Sequence, residues 1–263
     1  MSFKNMSYLY KINMHKDNLV EVTVGFVAGL IFTLLGMGPG LVVVSSLHLI
    51  SNYHMKKAII GSLLLLVPIS TFSAILHYIA QPNIASFLIW IIIGASVGVF
   101  TGSWIRNHIS GTYLKKFFCL FLTVILIRHW FYLFDFNSDE YQLIKLASYG
   151  HFFIGFCASL LSSLMGIGGG VLIVSIYYSI LNFPSKTVTQ ISVYVVLLNA
   201  WLNSIVSYHN LYWNNVLTRI TIGGLLGTIC GIYVFQSIPE KLLQIIYGFF
   251  LIIILLKILR NLK

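Results

Sequence analysis

The residues best placed to do chemistry in this chain are glycines. Gly166, Gly168, Gly169 and Gly170 fall within the run GIGGG, inside the apolar stretch GFCASLLSSLMGIGGGVLIVSIYYSI from Gly155 to Ile180. Each glycine weakens a helix by roughly 1 kcal/mol relative to alanine, so the run predicts a helix break. Broken backbone at membrane depth is tolerated where it is buried in protein or lines a polar cavity. A half-helix starting after the break aims free N–H groups and a partial positive charge at that cavity. The expected chemistry is reversible capture of an anion by backbone amides. The alternative is that the glycines only let two helices cross closely.

The same stretch occurs 130 residues earlier, as GFVAGLIFTLLGMGPGLVVVSSLHLI from Gly25 to Ile50. Gly36, Gly38 and Gly40 match Gly166, Gly168 and Gly170, and Pro39 stands where the second run has Gly169. Ser45, Asn52 and Lys56 match Ser175, Asn182 and Lys186. Glycine-broken segments at corresponding positions of two halves point to a secondary-transporter binding site. Pro39 has no N–H to donate, so the first motif is expected to be the weaker anion cradle. Side chains follow on the next segment. Ser192, Asn199 and Asn203 share one helical face, which Ser207 continues. Their counterparts are Ser62, Ile69, Ser73 and His77. Ser73, Ser192, Asn199 and Asn203 are expected to contact substrate, hydrogen bonding between helices being the alternative. His77, near the end of its segment, reads as an interfacial histidine.

These residues need elements to hold them. Of 263 residues, 58% are hydrophobic and 8% charged, against roughly 25% charged in a soluble domain. The expected fold is an all-α polytopic membrane protein. It has two inverted four-segment repeats, each opening on a glycine-broken segment, re-entrant or discontinuous. Residues 1–18 read as a polar leader without a cleavable signal, and 19–134 as the first membrane half. Residues 135–145 form an inter-repeat loop and 146–263 the second membrane half. As one straight helix, residues 19–50 would span about 48 Å, well beyond a core of about 30 Å. Intact segments are predicted at 58–79, 84–105 and 113–134, then at 187–208, 213–235 and 241–259. The second broken unit covers 146–181. Gly94, Gly98 and Gly102, and again Gly223, Gly227 and Gly231, recur every fourth residue, as faces for close helix packing.

Loop charge bears on topology. If each repeat crosses three times with the N-terminus inside, only Arg128, Lys145, Lys186 and Lys241 of the 16 Lys and Arg lie outside. If all eight units cross, the split is nearly even. The positive-inside rule prefers the first scheme, which makes the halves inverted and both termini cytoplasmic.

Composition and spacing exclude other classes. The net charge of +10 lies in short loops without the clustered footprint of nucleic-acid binders. The histidines form no H-x-x-x-H or H-E-x-x-H pattern, so no metal, cofactor or intramembrane catalysis is expected. Cys119, Cys157 and Cys230 lie in apolar segments without C-x-x-C spacing and read as small buried hydrophobes.

The paired glycine motifs, the four-segment repeat and the length resemble the sulfite exporter TauE/SafE family of membrane proteins, over residues 19–259. The chain carries Ser45 and Ser175 where that family usually has proline. The resemblance implies a permease for small anions, often sulfur oxyanions or organosulfonates. The function expected is inner-membrane movement of a small anion by alternating access. An anion channel and a non-transporting assembly subunit are the alternatives. The bilayer and a small anion are the expected partners, with a homodimer open.

Overall fold

The computed structural model describes residues 3–38, 40–49, 55–83, 85–105, 120, 123–127, 129–131, 146–166, 168–207 and 213–260. Among the described residues there is no strand; besides the helical residues 120, 123–127 and 129–131, nine helices have defined bounds. They are α1 (Phe3–Leu35), α2 (Gly40–Leu49), α3 (Met55–Ala80), α4 (Leu88–Ile105), α5 (Ser148–Met165), α6 (Gly170–Ser179), α7 (Ser185–Val206), α8 (Asn215–Ser237) and α9 (Glu240–Arg260). Among the described residues five stretches are long and apolar enough to cross a membrane: Asn18–Leu35, Lys57–Ala80, Leu88–Ile105, Ser185–Val206 and Asn215–Ser237.

Both expected breaks are present. Helix ends at Leu35 and restarts at Gly40; it ends at Met165 and restarts at Gly170. Each restarted helix has ten residues, about 15 Å, or half a hydrocarbon core.

The pairing of the long helices follows from their small residues. Lipid tails are as apolar as leucine, so burying a large apolar side chain between membrane helices gains little. Packing instead selects small residues that let backbones approach. Helix α4 shows this segregation. Ile89, Ile93, Val97, Phe100 and Trp104 face outward, while Gly94, Ala95, Gly98 and Gly102 are buried. A Cβ on Gly94, Gly98 or Gly102 would strike the backbone of Phe152, Phe156 or Leu160 on α5. A Cβ on Gly223, Gly227 or Gly231 of α8 would strike Val22, Phe26 or Leu30 of α1. These α1 residues are the repeat counterparts of the three on α5. Each half therefore packs its broken unit against the glycine ladder of the other half. Helices α3 and α7 contact each other, and each also touches the opposite ladder helix, α8 and α4 respectively.

Four expectations change. Helix α1 begins at Phe3, so most of the polar leader shares one helix with the first apolar run. Helix α4 begins at Leu88, a short turn occupying residues 86–87. His77 is not interfacial. It is fully buried, its Nε2 donates to the Thr33 carbonyl (3.0 Å), and its ring packs on Phe235. The rotation of α3 puts Ile75, Tyr78 and Ile79 outside instead. Cys157 and Cys230 are exposed rather than buried, because the inner faces of α5 and α8 are taken by smaller residues at the crossing. Cys119, the 135–145 loop, Pro39 and most of residues 113–134 lie outside the described residues.

One ion pair ties the halves together near the start of the first span. Arg219 Nε on α8 donates to Glu21 Oε2 on α1 at 2.5 Å, with the Glu21 side chain 8% exposed. Breaking such a pair from one side strands the partner charge. Arg219→Leu is expected to cost on the order of 1–3 kcal/mol, and Glu21→Gln added to it should restore part of the loss. Thermal unfolding in detergent checks this; equal melting of single and double variants would contradict it. Gly227→Leu drives a side chain into the Phe26 backbone, so it is expected to lower the melting point by several degrees (roughly 1–3 kcal/mol of overpacking). Gly98→Leu should do the same on the other pair.

Candidate functional site

The site is built from two helix ends that meet. Gly36 and Gly166 both take left-handed conformations (φ 65° and 71°), which a residue with a Cβ adopts only at a cost. Each closes its helix with a hydrogen bond, Gly36 N–H to Phe32 carbonyl and Gly166 N–H to Ser162 carbonyl, both 2.8 Å. This is the common left-handed helix termination. Gly168 and Gly169 continue with φ of 91° and 80°. Among the described residues one backbone position of this sense turns the chain at the first break and three at the second.

The two breaks lie against each other. A Cβ on Gly170 would overlap the Gly36 carbonyl, and one on Gly168 would lie 3.3 Å from Gly38 Cα. Ser192 on α7 joins them. Its hydroxyl donates to the Gly36 carbonyl at 2.6 Å and lies 3.3 Å from the Gly170 carbonyl. The counterpart Ser62 on α3 makes the reciprocal contact, 3.3 Å to the Gly166 carbonyl, but donates more closely to Ile59 in its own helix (2.8 Å). The first N–H groups of α6 have no intrahelical acceptor by helix geometry, and Gly168, Gly169 and Gly170 around them are buried.

The polar side chains gather at one break only. Asn199 on α7 donates its Nδ2 to the Gly168 carbonyl at 3.2 Å. The space a Cβ would fill at Gly169 is bounded by Asn199 Nδ2 (2.8 Å), the Ala158 carbonyl (3.1 Å) and Ser162 Cβ (3.2 Å). One turn along, Asn203 Nδ2 donates to the Asn199 carbonyl at 2.8 Å. Ser159 and Ser162 on α5 are buried. Unlike Ser70, Thr33, Ser175, Thr221 and Thr228, they do not donate to the carbonyl one turn back. Among the described residues no partner reaches Ser159 Oγ, Ser162 Oγ, Asn199 Oδ1 or Asn203 Oδ1. The matching positions of the first half hold Gly29, Phe32, Ile69 and Ser73. Phe32 and Ile69 are wholly buried.

Gly36, Gly38, Gly40, Gly166, Gly168, Gly169 and Gly170 thus stand at or beside one junction, with Ser192 across its seam and Asn199 at its second break. Asn203 is one turn beyond. Ser73 is tied elsewhere: it lies 3.3 Å from Thr33 Oγ1, which itself donates to the Gly29 carbonyl. Ser159 and Ser162 were missed as site residues. Their spacing, Ser159-x-x-Ser162, with the second serine four residues before Gly166, was the available signal.

A model of the sulfite exporter TauE/SafE family matches residues 22–258. The chain belongs to this family. It is similar to the probable membrane transporter protein YunE of Bacillus subtilis, 26% identical over 71% of this chain and 77% of the relative. It is also similar to the probable membrane transporter protein MJ0441 of Methanocaldococcus jannaschii, 31% identical over 71% of this chain and 70% of the relative. No solved structure matches it. As a TauE/SafE member with five membrane-length apolar stretches, the chain is a multi-pass membrane transporter. The helix breaks lie inside the region that the family covers.

Ser192 provides a check on the junction. Ser192→Ala leaves the Gly36 carbonyl without its side-chain donor, at a cost of about 1–2 kcal/mol. Ser62→Ala should cost less, since its closer bond lies within its own helix. Melting points of the two purified variants compare them; a larger loss for Ser62→Ala would contradict the assignment of Ser192 as the main clamp.

Proposed function

We propose that the chain is a permease for a small anion, a sulfur oxyanion, organosulfonate or organic acid, working by alternating access in the inner membrane. The observation that carries this is the buried meeting of two glycine breaks. It sets the start of the half-helix α6 against polar groups with no protein partner. Backbone amides there would hold the anion at Gly168, Gly169 and Gly170, with the dipole of α6 adding field. Ser192, Asn199 and Asn203 would shape the site from α7, and Gly36, Gly38, Gly40 and Ser73 from the first half.

The broken segments are read as re-entrant. Tyr177 on α6 has its hydroxyl 2.6 Å from His151 Nδ1, near the start of α5. Were the chain a continuous helix between them, the two residues would stand about 39 Å apart. The return of α6 toward the start of α5 supports a hairpin, three crossings per half, inverted halves and cytoplasmic termini. Alternating access would then be one half rocking on the other across the glycine-lined contacts. A membrane potential would suffice as driving force, one charge in 100 mV being worth about 2.3 kcal/mol.

The test is flux into proteoliposomes across sulfite, sulfate, thiosulfate, taurine, sulfoacetate, acetate and chloride, with voltage set by potassium and valinomycin. Saturable movement of one sulfur oxyanion or sulfonate is expected. A non-saturating chloride current would instead make the protein a channel. Gly169→Ala should cut flux at least tenfold, because its left-handed backbone (φ 80°) disfavours a Cβ and the added methyl meets Asn199. Unchanged flux with a folded, inserted protein would remove Gly169 from the site.

A further inference from the structure

An anion alone would leave the second break incompletely satisfied. Both asparagines commit an amide N–H to the protein, Asn199 to the Gly168 carbonyl (3.2 Å) and Asn203 to the Asn199 carbonyl (2.8 Å). Those bonds fix which way each amide faces, since a flipped amide would set oxygen against oxygen. The carbonyl oxygen of each side chain is fully buried and without a partner among the described residues. Ser159 and Ser162 add two buried hydroxyl oxygens, also unpartnered. Side-chain carbonyl oxygens accept only. They require a donor or a cation, and an anion is neither.

The surroundings select the kind of cation. The available ligands are neutral oxygens, and no group of three or more His, Cys, Asp or Glu that could hold a metal occurs among the described residues. Hard oxygen donors without charge suit an alkali cation; a divalent ion would need carboxylates. The helix ends agree. The C-terminal turn of α5, with its orphan carbonyls and partial negative charge, ends at Met165 beside this cluster. The N-terminus of α6, with the opposite charge, starts five residues later, at Gly170. A broken helix thus offers a cation pole and an anion pole side by side, the arrangement by which discontinuous helices hold an ion with its co-substrate. The first half lacks it, having Phe32, Ile69 and Pro39 in place of Ser162, Asn199 and Gly169.

The geometry points to a sodium ion bound at the second break by Asn199 Oδ1, Asn203 Oδ1 and the hydroxyls of Ser159 and Ser162, next to the anion position. This rests on the anion-permease reading and adds its coupling ion: one sodium ion moves with the anion, and the first break stays empty.

Direct binding separates this claim from the flux reading. The purified full chain is melted in detergent, without any anionic substrate, in sodium, potassium or N-methylglucamine chloride at matched ionic strength. Sodium should raise the melting point saturably, by about 5 °C when well above its dissociation constant; the other cations should not. Ser162→Ala and Asn203→Leu should each remove the sodium-specific rise, while Ser70→Ala, whose hydroxyl is spent on the Leu66 carbonyl of its own helix, should keep it. In proteoliposomes, an inward sodium gradient should speed anion entry at least fivefold over potassium. No sodium-specific rise in the wild type, or a rise retained in both variants, overturns the site. A rise with taurine in sodium-free buffer, together with no effect of sodium, also overturns it, since the cationic partner would then be the substrate's own ammonium. Sodium binding without flux of any anion would leave this site standing and remove the anion-permease reading. Sodium-independent flux would do the reverse.

Discussion

The constraint on which this structure depends is the hydrogen bonding of backbone away from water. A helix stopped inside a bilayer exposes N–H and C=O groups that lipid cannot satisfy, at several kcal/mol each. Here two helices stop, and each is placed so that its freed groups meet protein. The breaks abut at Gly36, Gly38, Gly168 and Gly170, and a methyl group on Gly170 would overlap the Gly36 carbonyl. Ser192 closes the seam from α7. Most of the glycine usage follows from this one requirement. Some glycines turn the chain at the breaks, and others let long helices come close enough to bury them.

The duplicated halves divide the work unequally. Their scaffolds match in detail, down to the α1 residues that meet the α8 ladder and the α5 residues that meet the α4 ladder. Their centres do not match. The second break is lined by Ser162, Gly169 and Asn199, and the equivalent positions of the first are Phe32, Pro39 and Ile69. Each substitution alone would look like decay of a motif. Together they make one break polar and leave the other apolar, so that a single ligand site can form against a dry wall. A small bound ion or molecule needs only one such site, and a second set of unpaired polar groups would cost stability with no gain.

The remaining polar side chains divide by the same logic. His77 and His129 each use one ring nitrogen on a backbone carbonyl, of Thr33 and Gln244. His151 is stacked against Phe87 and held at Tyr177. Tyr247 donates to Ser175, which donates in turn to the Val171 carbonyl. These contacts bind helices to one another and brace the half-helix α6 along its length. The Ser159 and Ser162 hydroxyl oxygens and the Asn199 and Asn203 carbonyl oxygens have no such use among the described residues.

The breaks and the duplication followed from the chain itself, because glycine acts locally: its cost to a helix is paid wherever it stands. The small-residue ladders were legible for the same reason, as one face of a helix. Their partners were not. Periodicity names a packing face but not the helix that meets it, and the exchange of ladders between halves is set by the fold. The rotation of each helix was likewise hidden. In a uniformly apolar segment both faces look alike, so Cys157 and Cys230 were placed on the inner side, whereas they are exposed. Nor could the residues alone reveal which atoms stay free. Asn199 and Asn203 read as substrate contacts or as hydrogen bonds between helices; tertiary structure supplied a carbonyl for an N–H of each and left each Oδ1 without a partner among the described residues. Sequence fixes which groups a side chain carries; only packing decides which of them are already taken.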